Sequence, residues 1–276
     1  MSSQEVSVTG NGRAQPATLN AEARVTSNFA LQHLTAAVLF TEKCAEIERD
    51  NEGKEFGAFF EDIRSYASGA IMSSVAGLEA YINEEYLPHD SPIRKAIPNF
   101  EEEFYKQYGI ERKPTLCKYQ LALKLLGMQK LNKGSTEYKD AKNLIALRDT
   151  LMHFKPFWDK EHQKAGLQEE LKGKFEMSPF LNDIFDSDSE FAANNCMSSS
   201  CCKWALKTSY NFIDAFSSQP GFRERWKELL DKELLDKLNK RKDENIKYVV
   251  DNEYVNRLTK HPNKLTEYLD KLAIDT

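Results

Sequence analysis

The sequence predicts an all-α fold. Apolar residues recur at helical spacing along most of the chain, no run alternates with the period of two that marks strands, and no internal repeat is present. The 276 residues are enough for one large domain or two small ones with ample core.

Residues 1–26 are polar and rich in Ser, Thr, Gly and Asn, which predicts a flexible N-terminal tail. A first helix is expected over Ser27–Arg49, capped by Ser27 or Asn28, with Leu31, Leu34, Val38 and Ala45 at helical spacing. Residues 50–55, DNEGKE, read as a turn. A long second helix is expected over Phe56–Tyr86, its buried face marked by Phe60, Ile63, Ala67, Ile71, Val75, Leu78 and Ile82. Small residues between Ala67 and Gly77 allow close helix approach and predict a central position. Pro88 and Pro92 end this helix. Residues 93–114 read as short helical pieces between prolines.

A third strong helix is expected over Thr115–Leu126, followed by a loop at 131–136. Ser135 or Thr136 then caps a helix running to Phe154, where Pro156 stops it. Residues 155–195 read as an irregular excursion, either plain surface or a substrate clamp. The next helix, Met197–Ser217, places Cys202, Ala205, Leu206, Ser209, Ile213 and Phe216 on one face. A charged helix over Phe222–Lys242, with Trp226, Leu230, Leu234 and Leu238 inward, and a short last helix complete a C-terminal extension, 219–276.

Composition narrows function. A net charge of −5 argues against general coating of duplex DNA, which needs a basic footprint, and leaves a local basic site open. The longest apolar runs, such as residues 36–40, are too short to span a bilayer, so no membrane association is expected. Residues 1–20 lack the apolar core of a signal peptide. Five cysteines without framework spacing suit a reducing, cytoplasmic setting. Cys196, Cys201 and Cys202 lack the further ligands of a zinc site and read as half-buried helix cysteines. No phosphate-cradling glycine loop or nucleophile elbow is present, and no metal or cofactor is expected.

The informative stretch is 144–158, LIALRDTLMHFKPFW. At about 100° per residue, Ala141, Leu144, Ile145, Leu151 and Met152 all fall within roughly 60° of Arg148, which puts a guanidinium on the apolar stripe. His153 lies about 140° around and some 7.5 Å along the axis, so the two do not share one face of an ideal helix. Two readings stay open. In one, Arg148 makes a structural buried ion pair and His153 decorates a helix end. In the other, the Arg fork binds a phosphate and His moves protons near neutral pH. RNA cleavage through the substrate's own 2′-hydroxyl needs those two functions and no metal. Glu79 reads either as a partner holding Arg148 or as an ordinary half-exposed residue. Asn83 sits on the same flank and reads mainly as surface.

The run NLIALRDTLMHFKP resembles the signature of the HEPN superfamily, an Arg followed by four to six residues and a His late in a core helix, and is most similar to its Abi-like members. The runs SSVAGLEAYINEEY at 73–86 and CCKWALKTSYNFIDAF at 201–216 are similar to the family's first and last core helices. The resemblance covers residues 27–218. It implies an up-and-down helical bundle that dimerises and a metal-independent endoribonuclease, associated with bacterial defence or a toxin role. It also implies that Arg148 stabilises the phosphate, His153 acts as acid or base, and Asp149 orients a neighbour or contacts substrate. Glu79 and Asn83, on the flank of the second helix, are the candidate supporting residues. Lys155 stands where regulated members carry a modified Tyr, although a regulatory protein partner is still in keeping with the family. The alternative is a non-catalytic helical module of the same family that binds a nucleotide or a partner protein.

Overall fold

The computed structural model describes residues 29–86, 91–96, 109–153, 165–178, 180, 196–222 and 226–227. Among them every regular element is helical: α1 Ala30–Asp50, α2 Phe59–Tyr86, α3 Pro92–Ala96, a 3₁₀ turn Ile110–Arg112, α4 Thr115–Leu125, α5 Thr136–Met152, α6 Ala165–Leu171 and α7 Ser199–Ser217. None of these helices is long and apolar enough to cross a membrane. The expected tail, the helix past Trp226 and the last helix lie outside the described residues, as do Phe154 and Pro156.

The second helix is central, as its small residues predict. It packs most extensively against α1, then against α7, and also touches α4 and α5. The α1 contact is close because two glycines face it. A Cβ on Gly77 would lie 2.8 Å from Leu34 Cδ2 and 2.9 Å from its Cγ, and one on Gly69 would lie 2.9 Å from Phe40 Cδ2. Alanine at either site gains up to about 1 kcal/mol of helix propensity, while overpacking costs about 1–3 kcal/mol. Leu34 is fully buried and cannot yield, whereas the half-buried Phe40 ring can turn outward. Gly77→Ala is therefore expected to destabilise, and Gly69→Ala to be neutral or mildly stabilising. Urea denaturation of the two variants checks this; equal midpoints would contradict the packing.

Polar ties lock the helices in register. Tyr119 Oη donates to Leu78 O (2.8 Å), Tyr86 Oη to Lys118 O (2.7 Å) and Ser209 Oγ to Ser74 O (2.9 Å). The Tyr119 ring meets Phe212 and Phe216 edge-on, at centroid distances of 4.9 and 4.8 Å. Burial holds its phenol well above the usual tyrosine range.

Two helix starts are finished by carboxylates from other helices. The N-cap of α1 is Phe29, which offers no capping side chain; Glu84 on α2 accepts instead from Phe29 N and from Ala30 N (3.0 Å). The expected caps Ser27 and Asn28 lie outside the described residues. At α7, Ser198 Oγ accepts from Cys201 N (3.1 Å), and Glu48 on α1 accepts from Ser199 N (2.8 Å).

Several expectations need correction. The second helix starts at Phe59 rather than Phe56, because Gly57 and Ala58 form a turn whose carbonyls accept from Phe60 N and Glu61 N. Part of the 155–195 excursion is helical: α6 buries Leu167 and Leu171 against the core, and Phe180 is also buried. Cys196, Cys201 and Cys202 are fully buried, not half-buried. Burial and a hydrogen bond with Cys196 push the Cys201 thiol well up, and a hydrogen bond with Cys44 together with burial does the same for Cys202. All five cysteines are free thiols, and Cys117 is the exposed one. Phe222 and Trp226, past residue 218, join the same core as Tyr81 and Phe216.

Candidate functional site

The candidate site lies at the C-terminal end of α5. Ser135 starts this helix, its hydroxyl accepting from Tyr138 N at 3.3 Å. Tyr138, Ala141, Asn143, Leu144 and Leu147 bury its inner side against α7 and α2. The helix ends at Met152, two residues short of the expected Phe154, and His153 is its C-cap. The His153 backbone N–H donates to Asp149 O at 3.0 Å, which closes the last turn.

Arg148 sits beside Leu144 on the inner side but is not sealed: its side chain keeps 27% exposure. Its Nε is buried and lies 2.9 Å from Asp149 Oδ1. The carboxylate is off the N–H direction, so the contact is an ion pair without a directed hydrogen bond. Asp149 is half-exposed and His153 is exposed. From Arg148, Asp149 projects about 100° around the helix and His153 about 140°, so the carboxylate stands between guanidinium and imidazole. Asp149 and His153 are one turn apart on the outer face, where side chains are neighbours. Arg148 and His153 do not share a face, as the spacing predicts. Asp149 pairs with Arg148, and its side chain makes no ion pair with His153.

Glu79 and Asn83 belong to a different cluster. Both flank Lys118 on α4, whose Nζ donates to Asn83 Oδ1 at 2.8 Å and lies 3.7 Å from Glu79 Oε1. The Lys118 side chain is only 2% exposed, so these two partners satisfy a buried ammonium. Glu79 thus pairs with Lys118 rather than with Arg148, and Asn83 is a buried lysine's hydrogen-bond acceptor rather than idle surface. Lys118 escapes a reading of the sequence because lysine is seldom fully buried. Its position between Leu116 and Tyr119 on a buried face is the one available signal.

Chemically, the end of α5 offers a guanidinium for a phosphate, an exposed imidazole for proton transfer and a carboxylate between them. The exposed side chain of Met152 adds an apolar surface next to His153. Among the described residues no group of three or more His, Cys, Asp or Glu side chains is placed to hold a metal. No family model, curated protein or solved structure matches the chain.

Proposed function

We propose that the protein is a metal-independent endoribonuclease of HEPN type that works as a homodimer, in bacterial defence or a toxin role. The observation that carries this reading is the Arg148–Asp149–His153 arrangement. A partly exposed guanidinium is held by an ion pair without a directed hydrogen bond, five residues before an exposed histidine and about 140° around the helix from it. That weak hold lets Arg148 exchange Asp149 for a phosphate, to which its planar fork is matched. His153 then takes the proton from a ribose 2′-hydroxyl or gives one to the leaving 5′-oxygen. In the transfer, the 2′-oxygen forms a bond to phosphorus and the bond to the 5′-oxygen breaks. The products are a 2′,3′-cyclic phosphate and a 5′-hydroxyl. Arg148 stabilises the added charge on the phosphate. Two copies pooling their α5 ends supply both an acid and a base.

The test is cleavage of an RNA oligonucleotide by the purified protein in EDTA, against the same oligonucleotide with 2′-deoxyribose throughout. Cyclic-phosphate ends from the RNA and no cut in the DNA are expected. Cleavage of both substrates, or strict dependence on added metal, would refute the mechanism.

The second reading, a non-catalytic module binding a nucleotide or a partner protein, is favoured by the neutralisation of Arg148 inside its own helix. It predicts binding without cleavage.

A further inference from the structure

The outer face of α5 carries charge that the fold does not use. Ser135, Lys139, Lys142, Ala146, Asp149 and His153 fall on one ridge, at alternating steps of four and three residues. The core-facing Ala141, Leu144 and Leu147 point away from it. Lys139 and Lys142 are exposed on the ridge, and Lys124, Lys130 and Lys133 are exposed where α4 and the following turn lead into it. That turn is tied to α4 by Gln120 Nε2, which donates to Leu131 O at 2.9 Å.

Residues 124–142 hold five lysines against two carboxylates. One carboxylate, Asp140, is already paired with Lys174 at 2.9 Å. The other, Glu137, projects about 160° away from the ridge. Among the described residues none of the five lysines makes an ion pair. In a chain of net charge −5, this is a local basic strip whose last lysine, Lys142, lies about 16.5 Å along the helix axis before His153.

Resting on the ribonuclease reading, we infer that the ridge is a track for single-stranded RNA, with Lys133, Lys139 and Lys142 on successive phosphates. From Lys139 to His153 the helix axis runs about 21 Å. At about 3.4 Å per stacked nucleotide, that is the reach of some six nucleotides. Lysines on a smooth helix face contact phosphates and read no bases, so the track binds RNA without sequence preference and its affinity falls steeply with salt. Negative charge is the partner that fits the lysines: on the ridge itself Asp149 is the one carboxylate, at the reacting end, and Glu170 of α6, which accepts from Asn143 Nδ2 at 3.5 Å, flanks it.

The experiment uses the full chain carrying His153→Ala, so that RNA is not consumed, and a fluorescein-labelled 20-nucleotide oligouridylate. Anisotropy titrations between 50 and 200 mM salt compare Lys139→Gln/Lys142→Gln with Lys43→Gln/Lys54→Gln on the α1 side of the bundle. Two lost phosphate contacts lower the slope of log affinity against log salt by about 1.4. The loss of affinity across that range then shrinks about sevenfold relative to the parent, while the α1-side pair changes nothing. An unchanged slope for the α5 pair, with the melting temperature intact, overturns the track. So does an unchanged slope with altered mass in light scattering, which would assign the ridge to a protein contact. Failure of the ribonuclease reading is seen separately: the protein with His153 in place would show the lysine-dependent slope and still leave RNA uncut.

Discussion

If the protein is the proposed ribonuclease, His153→Ala is expected to lower RNA cleavage by a factor on the order of 10²–10⁴, the usual worth of a positioned acid–base group, and to leave the fold in place. The structural cost is small because His153 is exposed, follows the last turn of α5 and takes part in its closure through the backbone N–H alone. Circular dichroism and the melting temperature should therefore match the parent. Arg148→Ala is the companion variant. On the same reading it is expected to remove charge stabilisation at the phosphate, at a cost of about 10²–10³ in rate. Arg148→Lys should recover little, since an ammonium lacks the planar fork. Single-turnover cleavage of an end-labelled RNA measures all three. Equal rates for His153→Ala and the parent would remove His153 from the mechanism.

Phe212→Ala is expected to be among the most damaging single truncations in the bundle, costing about 3–5 kcal/mol. Phe212 is 1% exposed. Its ring stands edge-on to Tyr119 at 4.9 Å and to Tyr138 at 6.1 Å, so one side chain of α7 joins α4 and α5. Those aromatic neighbours are themselves fixed, Tyr119 by its hydrogen bond to Leu78 O, so the cavity cannot collapse easily. The melting temperature should fall on the order of 10 °C for a domain of this size. A fall of only a degree or two would mean that the aromatic cluster is looser than its geometry indicates. Because Phe212 supports α5 from below, the same variant should weaken any activity at His153 near its new melting point and leave it intact well below.

How much of this was legible in the sequence depends on whether the deciding contact is local. The inward face of α7, Cys202 through Phe216, follows from spacing and is buried throughout. A cap for α5 at Ser135 or Thr136 follows from side chain and position, and Ser135 is the one that takes it. The angular gap between Arg148 and His153 follows from helix geometry, and so does the place of Asp149 between them once that residue is given its own angle. The start of α1 does not follow, because its cap is a carboxylate 54 residues further along. Nor does α6, a seven-residue helix that burial of Leu167 and Leu171 holds in place, since so short a segment is marginal by propensity. The partner of Glu79 was open for the same reason. Spacing places Glu79 on a flank, but which cation arrives there is decided by how α4 packs, and it delivers Lys118.

The carboxylate that finishes α7 belongs to α1, and the hydrogen bond from Ser199 N to Glu48 spans 151 residues. This sets an order of events during synthesis. The α1–α2 pair, with its own Glu84 cap, is complete when Tyr86 leaves the ribosome. Tyr119 of α4 covers part of its remaining apolar side, beside Tyr81, and the part around Ser74 waits for Ser209 of α7. More than a hundred residues separate the end of α2 from the start of α7. At about 5–20 residues per second that leaves this part uncovered for roughly 6–20 s, long enough for a nascent chain to need shielding. Slow translation between α2 and α7 therefore carries a risk of aggregation that the finished protein's surface gives no sign of.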